Sequence, residues 1–133
     1  MAEGDGAARL EAISPFFIVA DVTRSLIFYR DRLGFDIRFA EPAERPFFAI
    51  VGRDAAQLLL KADSEVAPLP NRVRHASMRW DAFVYTSEPD GLALDLTERG
   101  AAFTMPLADT HDGLRGFEVE DPDGYTLFFG RPR

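Results

Sequence analysis

Slid back by 66 residues, the second half of this 133-residue chain sets Ser87 on Asp21, Leu92 on Leu26 and Gly100 on Gly34. A later pair, Val51-Gly52-Arg53-Asp54 beside Glu120-Asp121-Pro122-Asp123, agrees at nearly the same offset. A repeat of this length implies two supersecondary units sharing one sheet, and it allows one half to be used to interpret the other. At 133 residues the chain is long enough for one domain with a real core and too short for two independent ones.

Each unit has the same order of signals. Ile13 to Ala20 is a short β-branched and aromatic run, a strand whose start at Pro15 belongs to an edge or a bulge. Asp21 caps a helix in which Val22, Leu26, Tyr29 and Leu33 recur at helical spacing, and Gly34 stops it. Strands Phe35–Ala40, Phe47–Val51 and Ala56–Lys61 follow, separated by turns at Glu41-Pro42-Ala43-Glu44 and Gly52-Arg53-Asp54. In the second unit, strand Met78–Thr86 leads through Ser87 as cap, with Pro89 in the first turn, to a helix ending at Gly100. Strand 101–105, a polar loop over 106–114 and a hairpin of Leu114–Glu120 and Tyr125–Phe129 complete it; Asp121-Pro122-Asp123-Gly124 supplies the tight turn. The expected organisation is a flexible tail over 1–11, a first βαβββ module over 12–62, a linker over 63–76 with Pro68 and Pro70, and a second βαβββ module over 77–130.

Composition removes several function classes. There is no cysteine, so disulfides, thiolate nucleophiles and sulfur-ligated zinc drop out together. A formal charge of −7 opposes binding to phosphate backbones, which argues against a nucleic-acid partner. No apolar run approaches the length that spans a bilayer, and an acidic start without an adjoining apolar segment makes cytoplasmic residence the expectation. Twelve phenylalanines against three tyrosines and one tryptophan exceed what a small core needs, so some line another surface.

Phe17-Ile18-Val19-Ala20-Asp21 running into Phe28-Tyr29-Arg30-Asp31-Arg32-Leu33-Gly34-Phe35, followed much later by Phe117-Glu118-Val119-Glu120-Asp121-Pro122-Asp123-Gly124-Tyr125, resembles the vicinal oxygen chelate superfamily of glyoxalase I, bleomycin-resistance proteins and extradiol dioxygenases. The resemblance spans residues 13 to 130. It implies an α+β fold in which two βαβββ modules form cupped half-barrel sheets with helices on the outer face, in a homodimer that often exchanges units. Metal-using members place ligands on the first and last strand of each unit, and those positions fall here on Ser14, Leu59, Trp80 and Phe128. None offers imidazole, carboxylate or thiolate, so no metal and no cofactor is expected. His75 and His111 fall in the linker and the loop, where solvated surface roles are expected.

Period-two alternation within that cup directs Phe16 and Ile18, Phe47, Ala49 and Val51, Gln57, Leu59 and Lys61, Trp80, Ala82 and Val84, Glu118 and Phe128 inward, with Phe83 and Tyr85 toward the helices. The expected ligand-binding set is Trp80, Phe16, Phe47, Gln57, Leu59, Lys61, Glu118 and Phe128: aromatic walls with a few polar groups, the usual composition of a small-molecule site. Trp80 would stack on a flat ring or face a cation, and Glu118 would supply countercharge. Similarity to metal-free bleomycin-resistance proteins implies sequestration of a hydrophobic or aromatic molecule, cationic or neutral, rather than catalysis. Two alternatives stay open, a lyase, isomerase or dioxygenase with a non-standard metal site, and metal-free acid–base catalysis by Glu118, Asp81 or Lys61.

Overall fold

Asp21, Gly34 and Gly100 do locally what their residue types dictate. In a computed structural model describing residues 8–133, the Asp21 carboxylate accepts from the Arg24 N–H at 3.2 Å and opens α1 (Val22–Leu33). Gly34 ends that helix in the left-handed region at φ 72°, and Gly100 takes the same region at φ 86° behind the second long helix, α3 (Pro89–Glu98). The expected Ser87 cap is displaced: Glu88 is the capping residue of α3, and the Thr86 hydroxyl accepts its N–H at 3.1 Å. Pro89 at the first helical position lacks the donor that a cap would otherwise have to satisfy.

The remaining elements are β1 (Phe16–Ile18), β2 (Asp36–Glu41), β3 (Phe48–Arg53), β4 (Ala56–Lys61), a single-turn α2 (Asn71–Arg74), β5 (Ala82–Tyr85), β6 (Phe103–Asp109), β7 (Leu114–Glu120) and β8 (Thr126–Pro132). They form two four-stranded sheets of identical plan, β1-β4-β3-β2 and β5-β8-β7-β6, in which only β1·β4 and β5·β8 are parallel. The architecture is therefore α+β with two open βαβββ sheets. The units do not share one sheet as the repeat implied. β1 is three residues long and follows Pro15, which has no N–H to give a further strand, so β1 ends its sheet instead of bridging to β5.

What the units share is a core. Val22, Leu26, Tyr29 and Leu33 of α1, Ala93 and Leu96 of α3, Leu58 and Leu60 of β4, and Phe117, Val119, Leu127 and Phe129 of β7 and β8 belong to one buried cluster. Phe17 stacks on Tyr125 across the module boundary with ring centroids 4.3 Å apart. Polar ties reinforce the joint: Tyr29 donates to Asp121 at 2.8 Å, Arg24 pairs with Asp123 at 2.8 Å, and Arg53 pairs with Asp95 at 2.9 Å. With both helix-bearing faces turned to this core, the opposite face of each sheet is left open.

Several expectations are corrected. The register sets Val51 opposite Leu58 and Ala49 opposite Leu60, so Ala49 and Val51 lie in the core, and Phe48 and Ile50 take the open face with Lys61 and Leu59. Phe47 precedes β3 and is out of phase with that face. In β5 the faces are also reversed: Phe83 lies beside Phe128 on the open side, whereas Ala82 and Val84 pack against the core. That strand begins at Ala82 rather than Met78, which resets its phase. β6 runs through Pro106 to Asp109, its register shifting around the proline, so the expected loop shrinks to a turn at 110–113. α2 occupies part of the expected linker, and β8 continues two residues past 130. Of the expected tail, residues 1–7 lie outside the described residues and 8–11 form no regular element.

Candidate ligand-binding site

Two glycines make the floor of the site. Gly116 of β7 and Gly130 of β8 face each other in the ladder, and a Cβ on either would come within 2.6 Å of the Phe128 ring. Their missing side chains let that ring lie flat on the sheet, fully buried. Trp80 stacks on it at 4.3 Å with 26° between the planes, and Phe83 borders both rings at 5.3 and 5.9 Å.

Trp80 is not part of a strand. It reaches this position because the chain bends just before β5: Asp81 donates its N–H to the Thr126 carbonyl, and its carboxylate accepts the N–H groups of Asn71 and Thr126, each at 2.8 Å. Asp81 is thereby occupied in fastening α2 and β5 to β8, and it brings no carboxylate into the site. The indole is then fixed by Glu118, whose Oε2 accepts the Trp80 Nε1–H at 2.7 Å. Oε1 of the same carboxylate accepts from Arg79 at 2.7 Å and from the Thr104 hydroxyl at 3.4 Å. Glu118 is 2% exposed, and a buried charge persists only when partnered in this way. The countercharge expected for a ligand is thus already matched within the protein.

In front of the Trp80–Phe128 stack opens a cleft of about 620 Å³, lined among others by Met78, Met105, Arg74, Arg79 and His111. His111, expected as a solvated loop residue, stands on its rim beside Asp112, whose carboxyl is held below its usual range by the Thr110 hydroxyl. His75 is exposed and contacts Ser77. The wall offers aromatic and thioether surface together with guanidinium donors.

Of the eight expected site residues, Trp80, Glu118 and Phe128 come together here. Phe16, Gln57, Leu59 and Lys61 lie on the open face of the other sheet, where Phe16 and Ile50 neighbour Leu59, and Phe48 and Ile18 neighbour Lys61. The Gln57 amide bonds Arg38 and Ser14 there, each at 3.3 Å. Phe47 belongs to neither group. Arg74, Arg79, Thr104 and Met105 were not anticipated; the available signal was that a buried Glu and an indole N–H both require partners, with arginines close by in the 72–79 segment.

The metal positions of the resembling family hold a hydroxyl, two hydrocarbon side chains and an indole, which do not fit a divalent ion. Among the described residues no group of three or more His, Asp or Glu side chains is arranged to bind one.

Residues 10–129 match the model of the Glyoxalase/Bleomycin resistance protein/Dioxygenase superfamily. The chain belongs to this superfamily. Among solved structures it is similar to an antibiotic binding protein, TnmS3, from Streptomyces sp. CB03234, at 20% identity over 96% of this chain and 100% of that one, with a TM-score of 0.68. It is similar also to the bleomycin-binding protein of bleomycin-producing Streptomyces verticillus, complexed with copper(II)-bleomycin, at 22% identity, 96% and 100% coverage and a TM-score of 0.68. TioX from Micromonospora sp. ML1 aligns at 21% identity, 92% and 100% coverage and a TM-score of 0.67. Comparison with curated proteins returned no match at the sequence level. At these identities the superfamily's fold is what the structures share. Among the described residues no helix is long and apolar enough to cross a membrane.

Proposed function

We propose that this protein binds and sequesters a small aromatic molecule, without a metal ion, on the Trp80–Phe128 platform. The observation that carries this reading is a ring stack held in place by a buried carboxylate and fronting a cleft of ligand size. Both oxygens of Glu118 already accept hydrogen bonds from the protein, which speaks against metal-free acid–base catalysis by that carboxylate. That similar folds include antibiotic-binding and bleomycin-binding proteins supports the binding class.

The open faces support a homodimer. Phe16, Phe39, Phe83 and Tyr85 are 43–67% exposed on surfaces that a second copy would cover, and the first module's Lys61 and Gln57 would then complete a cup over the partner's platform. Cytoplasmic residence fits a chain of this charge and composition.

Trp80 is the only tryptophan, so its fluorescence reports on the site directly. Titration with metal-free bleomycin and with polycyclic aromatic antibiotics is expected to quench it saturably for at least one compound. Absence of quenching at high-micromolar ligand in a folded protein, or co-purification of a stoichiometric divalent metal, rejects the reading. Light scattering is expected to give twice the 14.8 kDa chain mass.

A further inference from the structure

The polar groups around the platform are arranged for an anion, although the chain is acidic. We propose that the cleft selects planar aromatic acids, with the ring on Trp80 and the carboxylate on Arg74 and Arg79. This inference rests on the binding reading above.

Both guanidinium groups are tied to Trp80 through one intermediary, Arg79 to its indole and Arg74 to its backbone carbonyl. Arg79 shares the Glu118 carboxylate with the Trp80 N–H, yet 58% of its side-chain surface is exposed against 2% for Glu118. The carboxylate, although it reaches the cleft wall, is taken up by protein donors, and the remaining Arg79 guanidinium N–H groups face the cleft. Arg74 donates to the Asn71 side-chain oxygen at 2.5 Å, and the Asn71 amide donates to the Trp80 carbonyl at 3.0 Å. Among the described residues no carboxylate pairs with Arg74.

The carboxylates near the cleft are each engaged elsewhere. Glu118 accepts from Trp80, Arg79 and Thr104, Asp81 accepts two backbone N–H groups, and Asp112 sits on the rim, bonded to Thr110 and unconnected to Trp80. A cationic ligand stacked on the indole would meet two guanidinium groups; an anionic one would receive charge-assisted, fork-shaped hydrogen bonds.

Calorimetric titration with naphthoate, naphthamide and naphthylmethylammonium tests this, with the single Trp80 indole N–H resonance as site reporter. Naphthoate is expected to bind about tenfold more tightly than naphthamide and to weaken as salt rises, while naphthamide stays salt-insensitive. The ammonium compound is expected to be weakest. Arg74→Gln, at an exposed position, should remove most of the naphthoate advantage; the salt series on the unmodified protein gives the same answer independently of that variant. If naphthamide or the ammonium compound binds as tightly as naphthoate, the charge preference is overturned and the aromatic-binding reading stands. If none of the three moves the indole resonance, both fall.

Discussion

Asp121 is where the two modules and pH meet. One carboxylate oxygen accepts the N–H groups of Asp123 and Tyr125 at 2.9 and 3.0 Å, and the other accepts the Tyr29 hydroxyl at 2.8 Å, joining α1 of the first module to the β7–β8 turn of the second. The side chain is buried, and burial pushes its carboxyl from the ordinary 3.8 up to about 6 despite those hydrogen bonds. Between these values the folded protein holds a proton that the unfolded chain has released, so stability falls as pH rises through the window and is level above it. At about 1.4 kcal/mol per pH unit, the whole rise corresponds to roughly 3 kcal/mol. The exposed Asp31, Asp90 and Asp112 are shifted the opposite way, by their bonds to Arg30, Arg115 and Thr110, and act only below their ordinary range. Denaturant unfolding at intervals from about pH 4 to about pH 7 should therefore show a loss of roughly 2 kcal/mol in the unmodified protein, the remainder of the linkage lying below about pH 4. Asp121→Asn keeps the acceptor for both N–H groups and cannot ionise, so its profile should be nearly flat over the same range. A variant that retains the slope would refute the assignment.

Gly116→Ala would set a Cβ 2.2 Å from the Phe129 carbonyl and 2.6 Å from the Phe128 ring, and since the carbonyl is backbone, a cost of about 1–3 kcal/mol in thermal unfolding and a displaced Trp80 are expected. Gly91→Ala, inside α3 with nothing within 4 Å of the new methyl, should stabilise by about 1 kcal/mol through helix propensity, read from the same melting curves. Glu118→Leu should leave the Trp80 N–H without its acceptor, costing about 1–3 kcal/mol and accelerating solvent exchange of the indole proton in NMR spectra.

Helix α1 was legible because its information is local: the Asp21 cap, the stripe from Val22 to Leu33 and Gly34 are all read within fourteen consecutive residues. Strand faces were not, because Phe47-Phe48-Ala49-Ile50-Val51 is apolar at every position and carries no mark of inside or outside. The missing information lay in the turn. A two-residue Asp54-Ala55 hairpin, with Asp54 at φ 53°, pairs Arg53 with Ala56 and so puts Ile50 beside Leu59. Counting from that turn would have placed Ala49 and Val51 in the core.

Trp80 and Glu118 show the limit from the other side. Alternation placed Trp80 in the site through a strand that does not extend to it, and the position is instead produced by the Asp81 bend and the Glu118 bond, both of which span more than forty residues of sequence to β8 or about that to β7. The same contacts decide the chemistry. Read singly, Glu118 is a negative charge facing a ligand. Read with Arg79, Thr104 and the Trp80 N–H, it is a buried anchor whose charge is spent on the protein. A site's residue types can therefore be listed from sequence while the sign of the ligand it prefers depends on which charges have already found partners.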